Sequence, residues 1–262
     1  MFIRKLFKVG DKTKWIILEL FIVFIGVYMA FLFQQYSENQ KLNKEKEKVL
    51  MSLKAELDDF RSSFPRFARF QEEKNKEWDS LFSAQEVGDF YDWRYLEPQY
   101  NYKIIEYALN QEGTEIVSFE LYDELSKLHS FIKRLEHAER MMTEHGQRYR
   151  NLSKSWGEDS EEYRARNADN HFNFFKFRTA ARDRSGNMFS IAKMSEEIVK
   201  MVNEELGPEK THEAEISMLH NYLEVRLDRE FIKEVFLEYF PQYSEEELQK
   251  FIEEWDAAQD SN

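Results

Sequence analysis

The chain has 262 residues, a formal net charge of −13, no cysteine, only 8 glycines and 4 prolines, and 23 Phe, 13 Tyr and 5 Trp. Without cysteine, disulfides, thiolate metal sites and a cysteine nucleophile are excluded. Strong acidity disfavours a phosphate-binding nucleic-acid module, and few turn formers among many large aromatics point to a mainly α protein built from long helices.

The first predicted element dominates the chain. Trp15–Phe33 is an apolar run broken only by Glu19. As a helix it is about 29 Å long, which matches a hydrocarbon core of about 30 Å. We read it as a single transmembrane helix. Residues 1–14 form a basic tail with Arg4, Lys5, Lys8, Lys12 and Lys14 against a lone Asp11, whereas the far flank mixes Lys41, Lys44, Lys46 and Lys48 with Glu38, Glu45 and Glu47. That asymmetry predicts a cytoplasmic N-terminus and an extracytoplasmic remainder, the topology of a single-pass protein of a bacterial inner membrane. The run ends in Val27-Tyr28-Met29-Ala30-Phe31 without an Ala-x-Ala pattern, so an uncleaved signal anchor is expected rather than a signal peptide. Residues 1–34 carry five cationic and two acidic side chains, which leaves −16 on the other 228 residues. A domain so charged suits solution above the lipid rather than lying flat on an anionic leaflet.

Within the span, Glu19, Gly26 and Phe33 recur every seven residues, and Ala30 follows Gly26 by four. This small-xxx-small stripe with one carboxylate is a transmembrane contact surface, expected to meet a second copy or a membrane-protein partner. The plainer alternative has Glu19, one turn into the span, reaching back to the headgroups. Glu19, Gly26 and Ala30, followed by Gln34, Tyr36 and Glu38, resemble the N-terminal signature of an uncharacterised family of bacterial single-span proteins with a domain of unknown function. In that family an E-x6-G-x3-A span exits into a short Gln/Asn-x-aromatic segment and a long charged helix. The likeness covers roughly the first 60 residues, with Tyr36 where Trp is usual, and it implies topology but no activity.

Residues 34–48 read as a polar helical stalk, followed by a soluble helical domain over 49–262. Leu50, Leu53, Leu57, Phe60, Phe64 and Phe67 step by three and four, a heptad seam of coiled-coil type. Pro65 falls inside it and predicts a kink near Arg61–Phe64. The helix is expected to reach about Ala84. Val87–Pro98 reads as an aromatic and acidic loop, either a binding lip or aromatics tucked onto the bundle.

Gln99–Gln111 is predicted as a short helix stopped by Gly113. Ser118 then caps a second long helix, expected to run to about Leu152 and to bury Leu121, Leu125, Leu128, Ile132, Leu135 and Met142. His129, His137 and His145 are eight apart, so each turns about 80° from the last and they share no ligand face.

Residues 153–185 look least regular, with a possible subdivision near 153–186. They gather Arg164, Arg166, Arg178, Arg182 and Arg184 around Phe174 and Phe175. Arginine beside aromatics is the composition of interaction hot spots and anion pockets, so these seven are the candidate partner or anion site. The alternative is a structural segment whose Phe fill the core and whose guanidiniums pair with surplus carboxylates. Asn187 is predicted to cap a third helix ending at Gly207-Pro208, followed by a helix from about His212 to Tyr239. Ser244 and Glu247 predict a capping box for a last helix burying Leu248, Phe251, Ile252 and Trp255. His212 with Glu215, and His220 with Glu224, are isolated helical pairs that read as ordinary surface.

No phosphate loop, nucleophile elbow, HExxH or kinase set is present. The reading is therefore a membrane-anchored interaction or scaffold protein, not an enzyme, with the lipid bilayer and a second copy or membrane protein as partners, no nucleic acid, and no cofactor or metal. The alternative is an extracytoplasmic ligand- or stress-sensing module that signals through a membrane partner, since a tail of about 14 residues holds no output domain.

Overall fold

A computed structural model describes residues 11–84, 90–96, 98, 100–110, 116–148, 160–224 and 228–260. The basic-tail residues Arg4, Lys5 and Lys8, the stop at Gly113 and residues 153–159 lie outside them. The described residues are mainly α, with seven α-helices and one 3-10 segment. They divide into two compact units, residues 1–48 and 49–262.

In the first unit, α1 (Asp11–Ser83) begins at Asp11 and continues to the unit boundary. It contains a stretch long and apolar enough to cross a membrane. Every side chain of Trp15–Phe33 is exposed, Leu20 to 71%. The polar stretch after it is also helical, supported by Gln34 donating to Glu38 and Gln40 donating to Tyr36 one turn apart.

In the second unit, the remainder of α1 packs with α3 (Phe119–Gly146) and α4 (Glu161–Leu206) around one core. Leu50, Leu53, Leu57, Phe60 and Phe64 are buried and Phe67 is half-buried against them. Burying each such Leu or Phe contributes about 1.5–3 kcal/mol. The seam thus closes on its own chain and is not a free coiled-coil face. Pro65 leaves the helix unbroken to Ser83, with Phe64 and Ala68 buried on either side.

The 3-10 segment Phe90–Leu96, interrupted at Asp92, occupies most of the expected loop and buries Trp93 and Leu96. The short α2 (Lys103–Leu109) follows and buries Ile105 and Ala108. Ser118 caps α3 by accepting from the Leu121 N–H at 3.3 Å. This helix stops at Gly146, six residues before the expected end, where Gln147 and Arg148 turn back to the Thr143 and His145 carbonyls.

The largest correction concerns residues 161–206, which form one 46-residue helix in place of an irregular segment and a separately capped third helix. Ser160 caps it through the Tyr163 N–H, Glu161 and Glu162 favour its positive end, and no proline occurs before Pro208. Asn187 is therefore an interior residue. Gly207, at φ 77°, ends the helix in a conformation that favours glycine.

The predicted 212–239 helix is two helices, α5 (Pro208–Glu224) and α6 (Arg229–Tyr239), the second capped by Asp228. With α7 (Glu245–Asp260) they enclose a smaller core of Met218, Leu219, Phe236, Phe240, Leu248 and Ile252. The capping box is formed: the Ser244 N–H donates to Glu247 Oε2 at 2.9 Å and the Glu247 N–H donates to Ser244 Oγ at 3.2 Å.

Candidate functional site

On α4 the buried positions Phe174, Phe177, Ala181, Arg184, Met188, Ile191, Ser195, Ile198 and Val202 step alternately by three and four. Arg184 takes a core place in that seam and is completely buried. Each nitrogen of its guanidinium has a partner. Nε donates to Glu139 Oε1 at 3.1 Å, Nη1 to Gln71 Oε1 at 2.8 Å and Nη2 to the Leu96 carbonyl at 2.9 Å. Tyr100 donates to the other Glu139 oxygen at 2.9 Å, and the guanidinium lies 5.0 Å from the Trp93 ring centre. Gln71 and Glu139 hold equivalent core positions on α1 and α3, so three helices contribute one polar side chain each to a common layer.

That geometry resolves the predicted arginine site residue by residue. Arg184 is held at the centre of the bundle and serves as an internal tie. Arg178 pairs with Asp79 of α1 at 2.6 Å. Phe174 is buried and stacks on Phe82 with ring centres 3.9 Å apart. Arg166 is half-buried, while Arg164, Phe175 and Arg182 are exposed. At 100° and 1.5 Å per residue, Arg166 and Arg184 fall on the side away from the other five, and Arg164 lies about 27 Å along the axis from Arg182, so the seven form no single pocket. The segment divides between structural ties and a solvent face.

Sequence reasoning missed a second polar cluster where α1 meets α5. Lys54, buried, donates to Asp58 at 2.7 Å and lies 3.2 Å from Glu215, while Arg61 lies 2.7 Å from the other Asp58 oxygen. Glu215 also accepts from Gln242 at 2.7 Å and Tyr243 at 3.1 Å. The signal was two charges four apart beside an apolar seam, which by itself reads as a surface pair.

Next to this cluster a cavity of about 730 Å³ is lined by Glu56, Asp59, Ser62, Tyr222, Phe67 and Phe231 among others. Burial pushes the Glu56 carboxyl up to about 7, opposed by the Asn101 N–H that donates to it and reinforced by Asp59. Burial also raises Asp59, against the Tyr222 hydroxyl that donates to it.

No protein-family model, curated protein or solved structure matches this chain. Its function therefore rests on its own chemistry.

The histidines have local partners. His145 Nδ1 lies 2.9 Å from Asn173 Oδ1, His129 faces Glu106 and His137 faces Arg140. His212 shares a hydrogen bond with Tyr243, and His220 packs on Phe251 and Trp255. Among the described residues no three His, Asp or Glu side chains converge as a metal site. The helix-to-helix bonds of the two polar clusters, Arg184 to Glu139 and Gln71 and Lys54 to Glu215, fix helix register.

Proposed function

We propose that this chain is a membrane-anchored helical interaction protein. It is held by a single span at Trp15–Phe33 with its N-terminus in the cytoplasm and its helical domain in the periplasm, and it acts by self-association or by binding a membrane partner. The observation that carries the reading is the continuous exposure of the apolar run, a surface much larger than soluble proteins leave to water. Lipid satisfies it along its whole length. The basic flank before it supports the orientation, and the likeness of the first part of the chain to single-span proteins supports the same topology.

Association is supported by what the bundle leaves available. The α1 seam is occupied within the chain, whereas the stripe of Glu19, Gly26 and Ala30 is exposed. The two interior polar clusters are tied to backbone and side chains, which favours a scaffold over a catalyst.

Protease treatment of spheroplasts tests the topology. Digestion of the portion after Gln34, together with retention of the N-terminal fragment in carbonate-washed membranes, is the expected result. Protection of the helical domain overturns the orientation, and release by carbonate overturns the anchor. Affinity purification from membranes reads association directly, and a strictly monomeric species without companions overturns that part.

A further inference from the structure

The outer groove between α3 and α4 has a charge opposite to that of the domain carrying it. It encloses about 780 Å³, and Arg134, His137, Lys176 and Arg182 line it with Asp183 as its single carboxylate. Lys133 at one end already bonds Tyr102 and Glu106. Arg134, Lys176 and Arg182 are exposed, and none has a carboxylate partner among the described residues. Arg134 instead lies over the Phe131 ring at 5.0 Å and Lys176 over the Phe172 ring at 5.7 Å. Other surface cations, such as Lys127, Arg148, Arg178 and Lys200, do have acidic partners. Arg134, Lys176 and Arg182, facing one trough, concentrate positive potential in a chain portion of −16.

Small residues also line the trough. Ala138, Thr179, Ala180 and Gly186 contribute to it, and a Cβ on Gly186 meets nothing within 4 Å. The α4 wall from Lys176 to Ser190 is about 21 Å long, the length of about six extended residues. A slot lined by small residues and cations admits backbone and presents guanidiniums to carboxylates.

We infer that this groove docks an acidic segment of a partner protein, with carboxylates meeting Arg134, Lys176 and Arg182. The inference rests on the partner-binding reading above and names the chemistry of the partner. Charge complementarity selects the occupant, because the strongly negative domain repels anions over the rest of its surface and steers them to this trough.

The test uses the full chain in phosphatidylcholine nanodiscs and a fluorescein-labelled Glu-Ala alternating octapeptide, read by anisotropy. Saturable binding that weakens with salt is expected, with affinity falling about tenfold or more in R134E/R182E and in the milder R134Q/R182Q. The charge-matched control K200E/K250E keeps its affinity. Equal binding of a Gln-Ala peptide, or equal loss in the control, overturns the inference. So does displacement of the peptide by phosphatidylglycerol vesicles in preference to free peptide, which would make a lipid surface the occupant. Self-association of the wild-type chain that R134E/R182E abolishes would make the occupant a second copy and also overturns it. If the peptide binds R134E/R182E as tightly as the wild type while companions still co-purify, this groove is excluded and the partner-binding reading stands. If none co-purify with the wild type and it is monomeric, the broader reading fails.

Discussion

Arg184 Nε and Glu139 Oε1 lie 3.1 Å apart at equivalent seam positions of two facing helices, both buried. Desolvating a guanidinium and a carboxylate is expensive, so the pair persists because Gln71, Leu96 and Tyr100 complete its hydrogen bonds. Its consequence is register. Sliding either helix by one turn would leave a buried charge opposite aliphatic side chains.

Removing one partner is therefore expected to be costly. Arg184→Leu deprives Glu139 of its guanidinium and should destabilise by about 3–5 kcal/mol, read as a lower urea midpoint. The triple replacement R184L/E139L/Q71L should recover part of that loss, since it removes the buried charges but leaves the Leu96 carbonyl and the Tyr100 hydroxyl without these partners. If R184L unfolds at the wild-type midpoint, the layer holds nothing.

This layer also explains what was legible in the sequence. The α1 seam and the α3 stripe were visible because Leu and Phe occupy nearly every core step. On α4 the same stepping passes through Arg184 and Ser195, while Gly186 and Asn187 resemble a break, so a continuous helix read as an irregular segment and a new cap. A core residue of the wrong polarity hides periodicity, and only the partners on α1 and α3 make that position favourable. The split between α5 and α6 was hidden for a different reason, because apolar spacing continues across it. Caps at Ser118 and Ser244 were legible because their hydrogen bonds are local. Among the predicted arginines, burial of Arg184 and exposure of Arg182 depend on which side of α4 faces the bundle, which composition does not encode.

The Glu56 carboxyl should give the domain a specific pH dependence. Its folded value of about 7 stands above its ordinary 4.5, so the folded state holds a proton that the unfolded chain releases between those values. Stability attributable to this group is highest below about 4.5, declines as pH rises through that window and is lost above about 7. Glu56→Gln retains an acceptor for the Asn101 N–H without a charge. Its urea midpoint should exceed wild type at pH 8 and converge with it near pH 4. A parallel offset at both pH values would contradict this.

The last helix should be sensitive to its cap. Ser244→Ala removes the oxygen that accepts from the Glu247 N–H and donates to its carboxylate, and such a loss costs about 1 kcal/mol. Amide exchange should accelerate in α7 and around Leu248 and Ile252, with the Arg184 layer unaffected. Uniform acceleration across the domain would show that this small core does not open independently.

Gly26 supplies a clean test of association in the membrane. A Cβ built there meets nothing within 4 Å, so larger side chains at this position cause no clash within the chain. Gly26→Leu also raises helix propensity and apolarity, so insertion should be preserved. What changes is the closest approach of a second helix to the stripe that includes Ala30, since small residues permit close backbone contact in lipid. Cross-linking in native membranes should therefore yield fewer oligomers or partner adducts for Gly26→Leu, while Val27→Leu, off the stripe, behaves as wild type. Undiminished cross-linking in Gly26→Leu would remove the stripe from the association surface and leave the groove between α3 and α4 as the place to look.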